Sequence, residues 1–211
     1  MKILNLYAGI GGNRKLWGDE HFIVAIENDS EIARVYKETF PNDEVIVTDA
    51  HNFLLDNFEQ FDFIWSSPPC PTHSRMRLNH KKKVFPDMRL YQEILLLRHS
   101  FKGKFVVENV IPYYEPLIEP TIKIQRHCFW SNFNIENMQL GGCNVGKATK
   151  EILSKHHNIP MPKCKNQRLL LRNCVYPPLG LHIFNSVFLQ TTLNIDNTST
   201  AQNKSEDNNG N

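Results

Sequence analysis

The sequence predicts an α/β fold built on a doubly wound, mostly parallel sheet, and three observations predict it. Short apolar runs at 2–7, 22–27, 44–48, 61–66 and 104–108 alternate with polar stretches, the pattern of successive βα units. A glycine-rich turn, Tyr7-Ala8-Gly9-Ile10-Gly11-Gly12, follows the first run directly. An acidic residue, Glu27, ends the second run about twenty positions after that turn, the spacing of a ribose-binding carboxylate.

Composition bounds the rest. A chain of 211 residues, 41% hydrophobic, supplies one ordinary core. With 24 Lys and Arg against 22 Asp and Glu, the net charge of +2 excludes a chain coated in nucleic acid, so any such contact must come from local clusters. The longest aliphatic run, Ile94 to Leu97, excludes a bilayer-spanning helix, which needs about 20 apolar residues. Asn5 and the glycine turn interrupt any signal-peptide core, so a buried first strand in a cytoplasmic protein is expected. Five cysteines, an odd number with no CxxC pair, point to reduced thiols. The spacing of Cys128, Cys143, His156, His157 and Cys164 matches no ordinary zinc knuckle, and no metal is expected.

Taken in order, the five runs are strands, and helices are predicted at 30–39 and 87–98. In the second helix Met88, Tyr91, Ile94, Leu95 and Arg98 follow i, i+3, i+4 spacing, which predicts one buried face with Asp87 as N-cap. Residues 1–130 thus form the main unit. Beyond them Gly141, Gly142, Gly146, Pro160 and Pro162 punctuate a polar stretch without period, so 131–166 reads as a short irregular insertion. Apolar residues return over 167–190, where Pro177-Pro178 open a final helix through Leu181, Ile183, Phe184 and Val187. The stretch 191–211, rich in Asn, Thr and Ser, is expected to be disordered. Trp65, Trp130 and Phe133 are expected in the core.

The chemistry concentrates at strand ends. Ser66-Ser67-Pro68-Pro69-Cys70-Pro71 follows the fourth strand, and three prolines hold one cysteine in an extended, exposed loop suited to a nucleophile. The fifth strand ends in Val107-Glu108-Asn109-Val110, placing a carboxylic acid at its edge. Asp49, past the third strand, is either an adenine contact or the cap of a following helix. Open α/β sheets bind ligands beyond the carboxyl ends of their strands, so the glycine turn, Glu27, Asp49, Cys70 and Glu108 should share one crevice. The basic run Arg75, Arg77, His80, Lys81, Lys82 and Lys83 directly follows the cysteine loop.

In this order the motifs resemble the cytosine-5 DNA methyltransferase family. The match comprises Tyr7 to Gly12, Glu27, Asp49, Pro68-Pro69-Cys70, Glu108-Asn109-Val110 and the late Asn173-Cys174-Val175-Tyr176-Pro177-Pro178, covering 1–135 and 167–189. The resemblance implies a Rossmann-like class I methyltransferase fold, S-adenosylmethionine as cofactor, and methyl transfer to C5 of cytosine in DNA. It implies that Cys70 adds to C6 of a flipped-out base, that Glu108 contacts N3 and the exocyclic amine, and that Arg126 holds O2. It further assigns Tyr7, Ala8, Gly9, Gly11, Gly12, Glu27, Asn28, Asp49, Ala50, Pro69, Asn173 and Val175 to the cofactor. Ser74, Arg75, Arg77, Lys81, Lys82 and Lys83 are assigned to nucleic-acid phosphates.

Departures from the family pattern are equally legible. Tyr7 stands where the family often has Phe, and Asn28 where it is often apolar. The family's Gln-x-Arg-x-Arg pattern is reduced to Gln125-Arg126-His127, and the target-recognition region, 131–166, is very short. Duplex DNA is the expected partner, with a separate specificity subunit or cognate restriction enzyme as further ones. The alternatives are an RNA (tRNA) cytosine-5 methyltransferase of the same family and an inactive methyltransferase fold that only binds nucleic acid. A nicotinamide dehydrogenase would give Pro68-Pro69-Cys70 no role.

Overall fold

A computed structural model describes residues 1–79, 84–141 and 143–202, the last thirteen of them by backbone alone. Seven strands form one sheet in the order β3-β2-β1-β4-β5-β7-β6. They are β1 (Lys2–Leu6), β2 (Phe22–Glu27), β3 (Glu44–Val47), β4 (Phe63–Ser66), β5 (Lys104–Val110), β6 (Ile122–Ile124) and β7 (His127–Ser131). β1 pairs in parallel with both β2 and β4, Leu4 standing between Val24 and Ile64. β5 pairs antiparallel with β7, and β7 with β6. The predicted doubly wound, mostly parallel sheet is therefore observed, and its order reverses between β1 and β4, where such folds open a ligand crevice.

The central strands are continuous apolar runs because both faces are covered. On one face Leu4, Leu6, Ile64 and Val107 pack against α2 (Ala50–Asn57) and α3 (Arg89–Ser100) through Leu54, Leu90, Ile94 and Leu97. On the other, Ile3, Phe63, Trp65 and Val106 pack against Trp17 and α6 (Pro177–Gln202) through Leu179, Ile183, Phe184 and Val187. Trp17 stacks on Phe184 with ring centroids 4.9 Å apart. Trp65, Trp130 and Phe133 are buried as expected. All five cysteines are free.

One expectation is corrected. The buried face of α3 is Leu90, Tyr91, Glu93, Ile94 and Leu97, while Met88, Leu95 and Arg98 are exposed. The phase differs because an acidic residue, Glu93, lies inside, where hydrogen-bond donors satisfy it. Asp87 sits one residue before the N-cap, Met88, and its carboxylate accepts from the Arg89 N–H at 3.0 Å. The 131–166 insertion contains α4 (Lys150–His157), capped by Thr149, which packs with α5 (Gln167–Asn173) against Ile10 and Val35 of the main unit. α6 runs from Pro177 to Gln202. Among the described residues no helix is long and apolar enough to cross a membrane.

Candidate active site

The floor of the crevice is the turn after β1. Tyr7 takes φ +55° and Gly9 φ +56°, so the chain reverses sharply above the sheet. Glu27, at the end of β2, fixes that reversal: its two carboxylate oxygens accept from the N–H groups of Gly9 and Asp29, each at 3.0 Å. The Asp29 side chain in turn caps α1 (Ser30–Thr39), accepting from Glu31 N–H at 2.8 Å. A Cβ on Gly9 would project into open space, so its backbone faces the crevice bare. Gly11 is turned away, where a Cβ would lie 2.2 Å from the Phe40 ring.

The nucleophile loop leaves β4 between the floor and β5. Cys70 is half-buried rather than exposed, because its carbonyl anchors a turn by accepting from His73 and Ser74 N–H at 3.0 and 2.9 Å. Asn109 ties loop to strand, its amide donating to the Pro68 carbonyl at 2.9 Å. Glu108 is buried and meets the His127 ring, Nδ1 to Oε1, at 2.5 Å. Trp65 Nε1–H donates to Ser67 Oγ at 2.8 Å, which leaves the Ser67 hydroxyl to donate to Glu108. Arg126 also faces this group and donates to the Arg172 carbonyl at 2.9 Å.

The electrostatics follow from those neighbours. Burial, then the Glu108 charge, push the Cys70 thiol up, against the opposing pull of Arg126 and Arg172. Burial alone would also push the Glu108 carboxyl up, but the His127 contact, Ser67 and Arg126 outweigh it and hold the carboxyl below its ordinary value. Burial lowers the Arg126 guanidinium against the opposing pull of Glu108 and Cys70. The free site thus pairs a neutral thiol with a carboxylate at neutral pH.

A crevice of about 290 Å³ brings Cys70, Glu108 and Arg126 together with Tyr7, Ala8, Gly9, Gly12, Glu27, Asn28, Pro69, Asn173 and Val175. Three of the expected cofactor residues are not on its wall. Gly11 packs on Phe40, Asp49 caps α2 by accepting from Asn52 N–H at 2.8 Å and stands 3.5 Å from the Arg89 guanidinium, and Ala50 is buried in the first turn of α2. Of the residues assigned to phosphates, Arg75 is exposed, Ser74 and Arg77 are half-buried, and Lys81, Lys82 and Lys83 lie outside the described residues. Sequence reasoning missed His127, Ser67 and Glu93. The signal for His127 was its place where the family pattern carries an arginine.

The family model of C-5 cytosine-specific DNA methylases matches residues 1–112, more than half of the chain and all of the motifs from the glycine turn to Glu108. The chain belongs to that family. It is 28% identical over 150 residues to the human tRNA (cytosine(38)-C(5))-methyltransferase, covering 57% of this chain and 38% of that protein. The mouse protein of the same name is 30% identical over 84 residues, 37% of this chain and 20% of its own length. Among solved structures, a mutant of Spodoptera frugiperda DNMT2 shares 28% identity and a TM-score of 0.39, covering 52% of this chain and 35% of the other. The chain thus spans between a fifth and two fifths of the curated relatives' length.

S-adenosylmethionine is the cofactor of this methylase family, and the residues present fit it. Gly9 leaves its cradle open, Glu27 retains unshared lone pairs at the crevice edge, and the buried side chain of Val175 closes the opposite wall. Gly12 lets that wall approach, since a Cβ there would meet the Val175 carbonyl at 2.6 Å.

Proposed function

We propose that this methylase transfers a methyl group to C5 of cytosine in DNA through a covalent Cys70 adduct on a flipped-out base. The observation that carries the reading is the convergence of Cys70, Glu108 and Arg126 on the crevice floored by Gly9 and Glu27. S-adenosylmethionine, when bound, supplies an electrophilic methyl group. Cytosine C5 is too weak a nucleophile to take it unaided, and addition of the Cys70 thiolate to C6 makes C5 enamine-like. Glu108 serves N3 and the exocyclic amine, while Arg126 holds O2 and stabilises the adduct. A paired base cannot reach Cys70, so the base must leave the stack.

One observation favours a second reading. The relatives named above act, by their names, on cytosine 38 of tRNA, and an RNA substrate would use the same crevice. The short 131–166 region favours target recognition that is brief or supplied by a separate specificity subunit, and a cognate restriction enzyme would be its companion in a restriction-modification system. Duplex DNA as substrate sets the place of action in the cytoplasm or on the nucleoid, or in the host cell if the source is viral.

The test is methyl transfer from labelled S-adenosylmethionine to sequence-diverse duplex DNA and to tRNA, with Cys70→Ser as control. Bisulfite sequencing of both products then maps the sites. Protected cytosines in DNA that require Cys70 support the main reading; transfer confined to tRNA replaces it with the second. A folded, cofactor-binding protein that transfers to neither either lacks its specificity subunit or is a methyltransferase fold without turnover.

A further inference from the structure

The buried contact between Glu108 and His127 carries an inference that rests on the methyl-transfer reading. Across the sheet His127 stands opposite Val110, two residues from Glu108 on the same face, so the two side chains meet on the diagonal. His127 Nδ1 and Glu108 Oε1 are 2.5 Å apart, and both residues are buried at the crevice wall. The charged and titratable groups facing the pair are Cys70 on the nucleophile loop and Arg126 before β7, with Arg172 of α5 beyond them and Cys128 of β7 on the opposite face of the sheet. His157 of α4 lies beyond Arg126.

Addition of a thiolate to C6 drives electron density onto N3, which then needs a proton. A carboxylate held as an anion by an imidazole, a hydroxyl and a guanidinium has none of its own to give. We propose that His127 supplies, through Glu108, the proton that reaches N3 when Cys70 adds to C6, and recovers it when the adduct breaks down.

The step balances. Cys70 first gives its thiol proton to solvent water; the Sγ–C6 bond then forms, the C5=C6 pair moves to C4–C5, and the C4=N3 pair moves to N3. N3 takes a proton from Glu108 as Glu108 takes the Nδ1 proton of His127, which is left a neutral imidazole. Once C5 carries its methyl group and has lost its proton to a base, N3 returns its proton to the pair, C4=N3 and C5=C6 re-form, and Cys70 leaves as thiolate. His127 touches no substrate atom, so it is a positioning residue that acts through Glu108.

Two measurements test the role. The first needs only the protein: the carboxyl carbon signal of Glu108, followed with pH by NMR, should titrate at higher pH in His127→Gln than in the wild type. Gln keeps an N–H for the carboxylate but carries no mobile charge; an unchanged titration overturns the proposal. The second follows kcat and KM against pH on whichever nucleic acid the wild type methylates. His127→Gln should lower kcat about a hundredfold, the smaller end of what a positioned proton donor contributes. It should also change the shape of the kcat profile against pH and leave KM nearly unchanged. His127→Arg, a second variant with a fixed charge, should change that profile in the same way. Coincident profiles overturn the role. A wild type inert on both DNA and RNA ends the methyl-transfer reading and this role with it, and the NMR titration then shows whether the pair is coupled in its own right.

Discussion

Tyr7 donates its phenolic hydrogen to the Glu93 carboxylate at 2.6 Å, across 86 positions of sequence, and so anchors the residue that turns β1 into the glycine loop. The anchor is needed. Tyr7 holds φ +55°, a left-handed conformation that costs a residue with a side chain about 1–2 kcal/mol. Glu93 is fully buried on α3, and also accepts from Ser66 Oγ at 2.6 Å at the end of β4 and meets His51 Nδ1 of α2 at 3.0 Å. One carboxylate thereby joins the cofactor turn, the root of the nucleophile loop and two helices. Burial and Glu93 push the Tyr7 phenol up, so it stays a neutral donor.

Glu93→Ala should therefore strand the Tyr7 and Ser66 hydroxyls. With about 1–3 kcal/mol for each donor left without a partner, a loss of about 3 kcal/mol in denaturant unfolding is expected. Calorimetry should show weaker S-adenosylmethionine binding in the same variant, because the cofactor turn loses its anchor. Wild-type affinity in a folded Glu93→Ala protein would show that the turn keeps its shape unaided.

This hub also marks the limit of what the sequence discloses. The five parallel strands, the crevice at their carboxyl ends and the set of Cys70, Glu108, Glu27 and Gly9 were legible, because each is a local pattern: an apolar run, a proline-bracketed thiol, a glycine turn. Glu93 was not, since an acid on a helix reads as a solvent-facing residue unless its three partners, from the turn after β1, from β4 and from α2, are known. β6 and β7 were hidden for a similar reason, being short and carrying Lys123, His127 and Cys128 among their apolar residues. Asp49 had two readings of equal merit, and the structure supports the cap of α2.

The resting thiol gives a second prediction. Burial and the Glu108 charge raise the Cys70 pKa, so the reactive thiolate is scarce at neutral pH and its fraction grows as pH rises. Alkylation of the free protein by iodoacetamide, followed at Cys70 by mass spectrometry, should accelerate with pH to beyond the midpoint of an ordinary thiol. Arg126 opposes that rise. Arg126→Ala should move the midpoint to higher pH still and slow alkylation at any fixed neutral pH, while Glu108→Gln should move it down. A midpoint insensitive to both changes would mean that neither charge reaches Cys70.

Nucleic-acid contact makes a third. Arg75 is exposed in the segment that follows Cys70, and Lys81, Lys82 and Lys83 follow in sequence. Each phosphate that a basic side chain neutralises adds about 0.9 to the slope of log K against log salt on duplex DNA. Replacing the three lysines with Ala should lower that slope by about 2 to 3 if all grip phosphates. An unchanged slope would make the run a solvated face.

The cofactor cradle itself is testable by adding one carbon atom. A Cβ at Gly9 meets no protein atom within 4 Å, so Gly9→Ala should cost the fold only the strain of φ +56°, about 1–2 kcal/mol. Yet that methyl group would stand in the crevice where Glu27 holds the turn open, and S-adenosylmethionine binding by calorimetry should weaken at least tenfold. Gly103→Ala is the matching control. There a Cβ would lie 2.5 Å from the Asp62 carbonyl, away from the crevice wall, so stability should fall while the affinity of the folded protein stays as in the wild type. If instead Gly9→Ala binds cofactor normally, the bare face of Gly9 is not a binding surface, and the cofactor must lie nearer to Asn28 and Asn173.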